Sequence, residues 1–248
     1  MKKLTITTLV AIFTIALIQA QNSAPYTPEV YEVVKTKKPI KIDSNWDKKQ
    51  WKKVKPVTIT NYMGDIPAFK PEVQAKMVYD KDNLYVIFRV KDKYVKSITD
   101  RNNGPVYKDS AVEFFFCSDV ENPRLYFNIE TNCGGFVLFH HNNPIDRSQN
   151  KRLTDEDIAQ LEIAHSMPAI VDPEITDEVI WTIEYKVPFD LLRKYSPITT
   201  PAKGVEWRAN FYKIAEITSN PHYITWSKID LPRPNFHVPE AFGRLIFK

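Results

Sequence analysis

Glycine is scarce in this chain, with 6 residues in 248. A phosphate cradle brings backbone N–H groups against an anion and needs clustered glycines to do so. Here Gly134 and Gly135 form one adjacent pair, and no GxGxxG or GxxxxGK spacing occurs. That excludes the familiar dinucleotide and P-loop enzymes. Cysteine is nearly absent: Cys117 and Cys133 are too few for a structural zinc site. A large charge of one sign is missing as well, since 34 Lys and Arg face 30 Asp and Glu, a net +4. This balance argues against a nucleic-acid partner. After the first twenty residues no apolar run approaches the roughly 20 residues that span a bilayer.

The amino terminus does carry one such run in shorter form. Lys2 and Lys3 precede apolar residues from Leu4 to Ile18, and the small Ala20 follows. The pattern predicts a secretory signal peptide at 1–20 and an exported protein, periplasmic or extracellular. No cysteine follows the run, so a lipid anchor is not expected. Without Lys2 and Lys3 the net charge falls to +2. Residues 21–34, with Pro25 and Pro28, read as a leader, and 35–248 as one domain. The lysines crowded between Lys35 and Lys55 read as a solvated face.

The rest of the chain is average in its 43% apolar and 26% charged content, and long enough to bury one sizeable core. Short β-rich runs alternate with Pro, Asn, Asp and Lys clusters. The clearest are 30–34, 72–80, 84–92, 111–117, 125–131, 136–140, 179–187, 206–215, 222–227 and 243–247. Helical signals are few: 46–51, a turn opening at Thr154, and 188–194 with Pro188 near its start. Residues 141–150 read as a long loop. The predicted fold is all-β, an antiparallel β-sandwich of jelly-roll type with one or two short helices.

Strand alternation sorts the side chains by face. In 111–117, Val112, Phe114 and Phe116 form a core face, while Glu113 and Phe115 point the other way. In 125–132, Leu125, Phe127 and Ile129 oppose Tyr126, Asn128, Glu130 and Asn132. A hairpin turning near Glu121 and Asn122 would set Glu113 opposite Glu130 and Phe115 opposite Asn128. The same register sets Cys117 against Tyr126 and Cys133 against Ser110. Seven residues of offset at about 3.3 Å each rule out a bridge, so both thiols are expected free.

Opposed carboxylates repel, so a sheet avoids them without a use for them. They could accept hydrogen bonds from ligand hydroxyls, hold a cation or act as an acid–base pair; splaying into water or neutralisation by Lys or Arg is the alternative. The strand 207–213 adds a second polar row, Arg208, Asn210 and Tyr212. Trp226 stands among polar neighbours near the carboxyl terminus. Asn, Glu, Tyr and Trp together suit a sugar, whose hydroxyls need amide and carboxylate partners and whose C–H face needs an aromatic surface.

From about Ile40 onward the chain resembles a family-nine carbohydrate-binding module, in the shorter-loop form common among exported bacterial proteins. The residues that carry the resemblance are Ile42-Asp43-Ser44-Asn45-Trp46-Asp47 with Trp51, Val78 through Val86, Lys108-Asp109-Ser110-Ala111-Val112-Glu113, Val187-Pro188-Phe189, Trp207-Arg208-Ala209-Asn210 and Ile224-Thr225-Trp226-Ser227. The resemblance implies a DOMON-like sandwich that holds sugar between two aromatic rings. One ring corresponds to Trp226 and the other to Tyr107, where the family usually has Trp. The family glutamate corresponds to Glu113, and Asn128, Glu130 and Asn210 fall at its other polar positions. At Asn128 and Glu130 the better-known members carry a different polar pair that includes Arg. His237 either lines this site or bonds to backbone. Structural calcium is also known in the family, with Asp80, Asp82 and Asp92 as candidates; turn and strand-end capping is their competing role.

Non-catalytic carbohydrate binding, in support of polysaccharide capture or breakdown, is therefore the leading expectation. A glycoside hydrolase could use Glu113 and Glu130 if their carboxyls stood about 5–5.5 Å apart. A haem-binding sandwich would need axial ligands from Met77, His237 or a lysine, and rests on fold analogy alone.

Overall fold

Strands dominate the computed structural model, which describes residues 27–248. The expected signal peptide at 1–20 and the start of the expected leader lie outside the described residues. In one layer the strands run in the order Lys151–Arg152, Val137–Asn142, Tyr126–Asn132, Ala111–Cys117, Glu206–Ala215, Gly243–Phe247 and Val30–Lys35. His222–Thr225 pairs with the end of Glu206–Ala215, and Asn61–Met63 pairs outside it. The second layer contains Val57–Ile59, Glu72–Tyr79, Asn83–Asp92, Val179–Pro188 and Glu162–His165. Val95–Ser97 and Val171–Ile175 form a separate pair.

The layers face each other across an aromatic and aliphatic core. Phe114, Phe116, Trp207 and Phe211 come from the first, Met77, Phe88, Ile183 and Tyr185 from the second. Phe211 meets Phe88 edge to face with centroids 5.9 Å apart. Alternation accounts for this: every second residue of each strand turns inward and is removed from water, the main stabilising contribution of the sandwich. The fold is the all-β sandwich expected from the sequence.

Val30–Lys35 joins the two layers. Its residues 30–33 run parallel to Gly243–Phe247, and Val34 and Lys35 run parallel to Glu72–Tyr79. The other ladders are antiparallel. Tyr31 and Val33 are buried, and Tyr31 donates its hydroxyl to Lys55 O. The boundary drawn at residue 34 thus falls inside a strand, and Pro28 lies just before its start. Residues 141–150 differ from expectation in a similar way. His141 and Asn142 continue the strand Val137–Asn142, which pairs with Lys151–Arg152, and the intervening turn is held by the Asp146 and Asn143 side chains.

Six short strands, such as Val57–Ile59 and Asn61–Met63, escape the sequence reading because a two- to five-residue strand carries too little alternation to register. The helices Lys49–Lys52, Asp155–Ile158 and Phe189–Arg193 are where helical signals occur, and Thr154 caps the second by accepting from Asp157 N. No helix among the described residues is long and apolar enough to cross a membrane.

Candidate carbohydrate-binding site

The predicted hairpin register holds: Glu113 pairs with Glu130 and Phe115 with Asn128. Cys133 N donates to Ser110 O at 2.8 Å, and both thiols are free and buried. On the other side of Ala111–Cys117 the strand Glu206–Ala215 sets Tyr212 beside Glu113 and Asn210 beside Phe115. Glu113 and Glu130 lie on the face of this sheet that looks away from the main core.

Above them is a cavity of about 320 Å³. Glu113, Glu130, Leu138, His140 and Ile214 form its floor, Tyr107, Glu216 and Tyr223 one wall, and residues 234–237 the other. Tyr107 sits on the 3-10 turn Val106–Lys108. Lys108 O accepts from both Glu216 N and Ile217 N at 2.9 Å, which ties the turn to the end of the neighbouring strand. Buried Asp109 follows directly: it accepts from Ile98 N, Thr99 N and Asn132 Nδ2, so the carboxylate supplies three acceptor bonds where the strand begins. Tyr223 is aimed by its hydroxyl, which donates to Glu216 Oε1 at 3.3 Å.

The opposite wall is a proline-rich loop without sheet bonds of its own. Phe236 stacks on Tyr212 with centroids 4.2 Å apart, and Tyr212 donates its hydroxyl to Phe236 O at 3.1 Å. His237 Nδ1 lies 2.7 Å from the Tyr126 hydroxyl. These contacts hold the loop over the sheet.

The two glutamates are 2% and 4% exposed. Asn128 Nδ2 donates to Glu130 Oε1 at 2.7 Å, whereas Glu130 Oε2 is buried without a partner. Among the described residues no donor reaches Glu113, and no Lys or Arg pairs with either carboxyl. Burial, then the facing Glu130, then Glu216 push Glu113 well above the usual carboxylate range. Burial raises Glu130 to about 7, with Glu216 adding to the rise and the Asn128 bond opposing it. Both carboxyls are therefore held toward their protonated forms near neutrality.

The sequence candidates divide in their places. Tyr107, Glu113, Glu130 and His237 line the cavity. Asn128 and Tyr212 stand behind it, the first bonded to Glu130 and to Asn142, the second under Phe236. Asn210 is committed elsewhere, accepting from Phe211 N and Ser227 N and donating to Ser227 O. Trp226 is not brought to the cavity. It is 6% exposed in the main core, edge to face with Phe211, on the side of the strand that Ile224 shares. The aromatic that this strand presents to the cavity is Tyr223, which the sequence reading missed. Period-two alternation held the signal, because Tyr223 and Thr225 share one face and Ile224 and Trp226 the other. Phe236 and Glu216 were missed too, since loop placement and turn packing set them in the cavity, and so was His140, which strand alternation sets there beside Leu138.

Of the calcium candidates, Asp80 accepts from Asp82 N, Asn83 N and the Tyr85 hydroxyl, the capping role. Asp92 lies at the far end of the strand Asn83–Asp92 and pairs at 3.0 Å with buried Lys213. No group of three His, Cys, Asp or Glu able to hold a metal occurs among the described residues. Met77 is sealed in the main core while His237 borders the cavity, so these two haem candidates do not face one space.

Several solved structures share this architecture. A Bacteroides uniformis protein, provisionally described as carbohydrate-binding, matches with TM-score 0.79 and 23% identity over 90% of this chain and 100% of its own. A family 9 carbohydrate-binding module from Caldicellulosiruptor kristjanssonii, solved with glucose, matches with TM-score 0.60 and 16% identity over 89% of this chain and 96% of its own. The same organism's family 9 module with cellotriose gives TM-score 0.61 and 16% identity over 89% and 94%. No curated protein matches the chain. The family model for carbohydrate-binding family 9 matches residues 36–247, and with that span covering nearly the whole sandwich the chain belongs to carbohydrate-binding family 9.

Proposed function

We propose that the cavity binds a sugar ring without catalysis, its hydroxyls meeting Glu113 and Glu130 and its C–H face lying on Tyr107 or Tyr223. The observation that carries this reading is a pair of buried carboxyls with unfilled hydrogen-bonding capacity under an aromatic-walled cavity. A volume of about 320 Å³ is at the small end of ligand pockets, which suits one ring better than a long chain. Family membership supports the ligand class, and the glucose and cellotriose held by the Caldicellulosiruptor modules suggest a glucose-type ring. Asn128 and Tyr212 would then act from behind, keeping Glu130 and Phe236 in place, while His237 would border the ligand. Export through the amino-terminal apolar segment would put this module where polysaccharide ends are met.

Isothermal titration with glucose and cellotriose tests the reading. Saturable binding, weakened at least tenfold by Tyr107→Ala or Tyr223→Ala, is expected. No binding to any sugar of a broad panel would reject it. Release of reducing sugar by the wild type and not by Glu113→Gln would instead make the protein a hydrolase.

A further inference from the structure

We propose that the cavity selects a cationic sugar, an amino-bearing pyranose, over its neutral counterpart, with the ammonium seated between Glu113 and Glu130. This rests on the reading of the cavity as a sugar site and names the class of sugar. Three carboxyl side chains border the space, Glu113, Glu130 and Glu216, and no Lys or Arg does. Two of them are almost completely buried, opposed across a ladder, and free of any ion pair among the described residues. Glu130 Oε2 is an orphaned acceptor at the cavity floor.

The other titratable groups around the pair do not neutralise it. Tyr212 flanks Glu113 on the next strand, and its hydroxyl is spent on Phe236 O. His140 faces Asn128 and accepts at Nε2 from Arg152 Nε, 3.0 Å away; burial and then Arg152 hold its imidazole down to about 4. His237 is likewise pulled below its ordinary range, by loss of water around the ring and then by Arg147. Both imidazoles are therefore neutral near pH 7. Arg147 and Arg152 are exposed and border no part of the cavity.

An ammonium offers three donors to the carboxyl oxygens of the floor. It offsets the repulsion that full ionisation of the pair would create, and the rings of Tyr107 and Tyr223 favour a cation beside them. A neutral hydroxyl in the same place leaves that repulsion uncompensated, so the carboxyls keep their protons. Seating a cation therefore draws the pair toward its ionised form: the ammonium enters, the carboxyl protons it displaces pass to buffer, and both glutamates become carboxylates.

Titration of the full chain at pH 6.5 with glucosamine, glucose and N-acetylglucosamine tests this, because the amine is charged there and the two controls are not. At least tenfold tighter binding of glucosamine is expected, with proton release seen as a dependence of the heat on buffer ionisation enthalpy. In Glu130→Gln and, separately, Glu113→Gln the glucosamine-to-glucose ratio should collapse toward one; their thermal melts establish that they are folded. Equal affinity of the wild type for glucosamine and glucose overturns the charge preference and leaves the sugar reading standing. A preference that persists in both variants overturns the seat between the glutamates. No binding of any of the three sugars, or of cellotriose, overturns the sugar reading and this inference together.

Discussion

Trp51 donates its indole Nε1–H to Glu184 Oε1 at 2.7 Å, and both side chains are fully buried. The same carboxylate accepts from Asp43 N at 2.9 Å and Ser44 N at 2.8 Å, and Lys48 Nζ reaches both oxygens at 2.8 Å. One glutamate on the second layer thus pins the whole segment 43–51. The motif that runs from Ile42 to Trp51 is a structural strap, on the layer opposite the candidate site. Glu184→Ala leaves four donors without their acceptor, and a loss of about 3–5 kcal/mol is expected from urea unfolding. Glu184→Gln should lose less, and sugar affinity of the folded protein should not change in either variant.

Tyr223 and Trp226 provide a contrast three residues apart. Trp226→Ala should cost about 3–5 kcal/mol of stability by opening a hole in the main core against Phe211. Tyr223→Ala should instead weaken sugar binding at least tenfold, about 1.4 kcal/mol, with little loss of stability. Paired melting and titration experiments on the two variants check the assignment; large affinity loss from Trp226→Ala in a protein of unchanged stability would reverse it.

The buried glutamates make stability depend on pH. Glu130 rises from 4.5 to about 7 on folding, and Glu113 shifts in the same direction. The folded state therefore binds more protons than the unfolded chain between those values. The Glu130 contribution is complete below about pH 4.5 and is lost as pH rises through about 7, and that of Glu113 falls in the same direction. At about 1.4 kcal/mol per pH unit, the Glu130 share is about 3 kcal/mol. Urea unfolding at pH 5 and pH 8 should show a smaller decline in Glu130→Gln than in the wild type. Equal declines would mean that the carboxyl is not buried.

Burial pushes the thiols of both Cys117 and Cys133 up to about 12. A thiolate is the reactive form, so neither should react with a neutral-pH thiol reagent while the protein is folded. Two thiols should appear together in denaturant, without prior reduction. Labelling of the native protein at either position would show that the sheet opens there.

Much of the sandwich was legible because strand alternation has a period of two and a one-residue register slip exposes a whole apolar face. Ala111–Cys117 and Tyr126–Asn132 illustrate this: Phe114, Phe116, Phe127 and Ile129 fix the parity of the pairing, the turn near Glu121 and Asn122 fixes its offset, and Glu113 then meets Glu130. The same rule separates Tyr223 from Trp226, which fall on opposite faces of one strand and its extension. What sequence alone determined was thus the strand faces, the opposed carboxyls and the free thiols. Tertiary structure decided what closes over them. Residues 234–237 have no periodicity, and they become a wall only because Phe236 finds the Tyr212 ring and His237 finds the Tyr126 hydroxyl. Tyr107 likewise depends on a turn bonded to residues 216 and 217, more than a hundred positions away. Contacts of that separation are set by the packing of the finished sheet, not by local propensity, and they convert two awkward glutamates into the floor of a site.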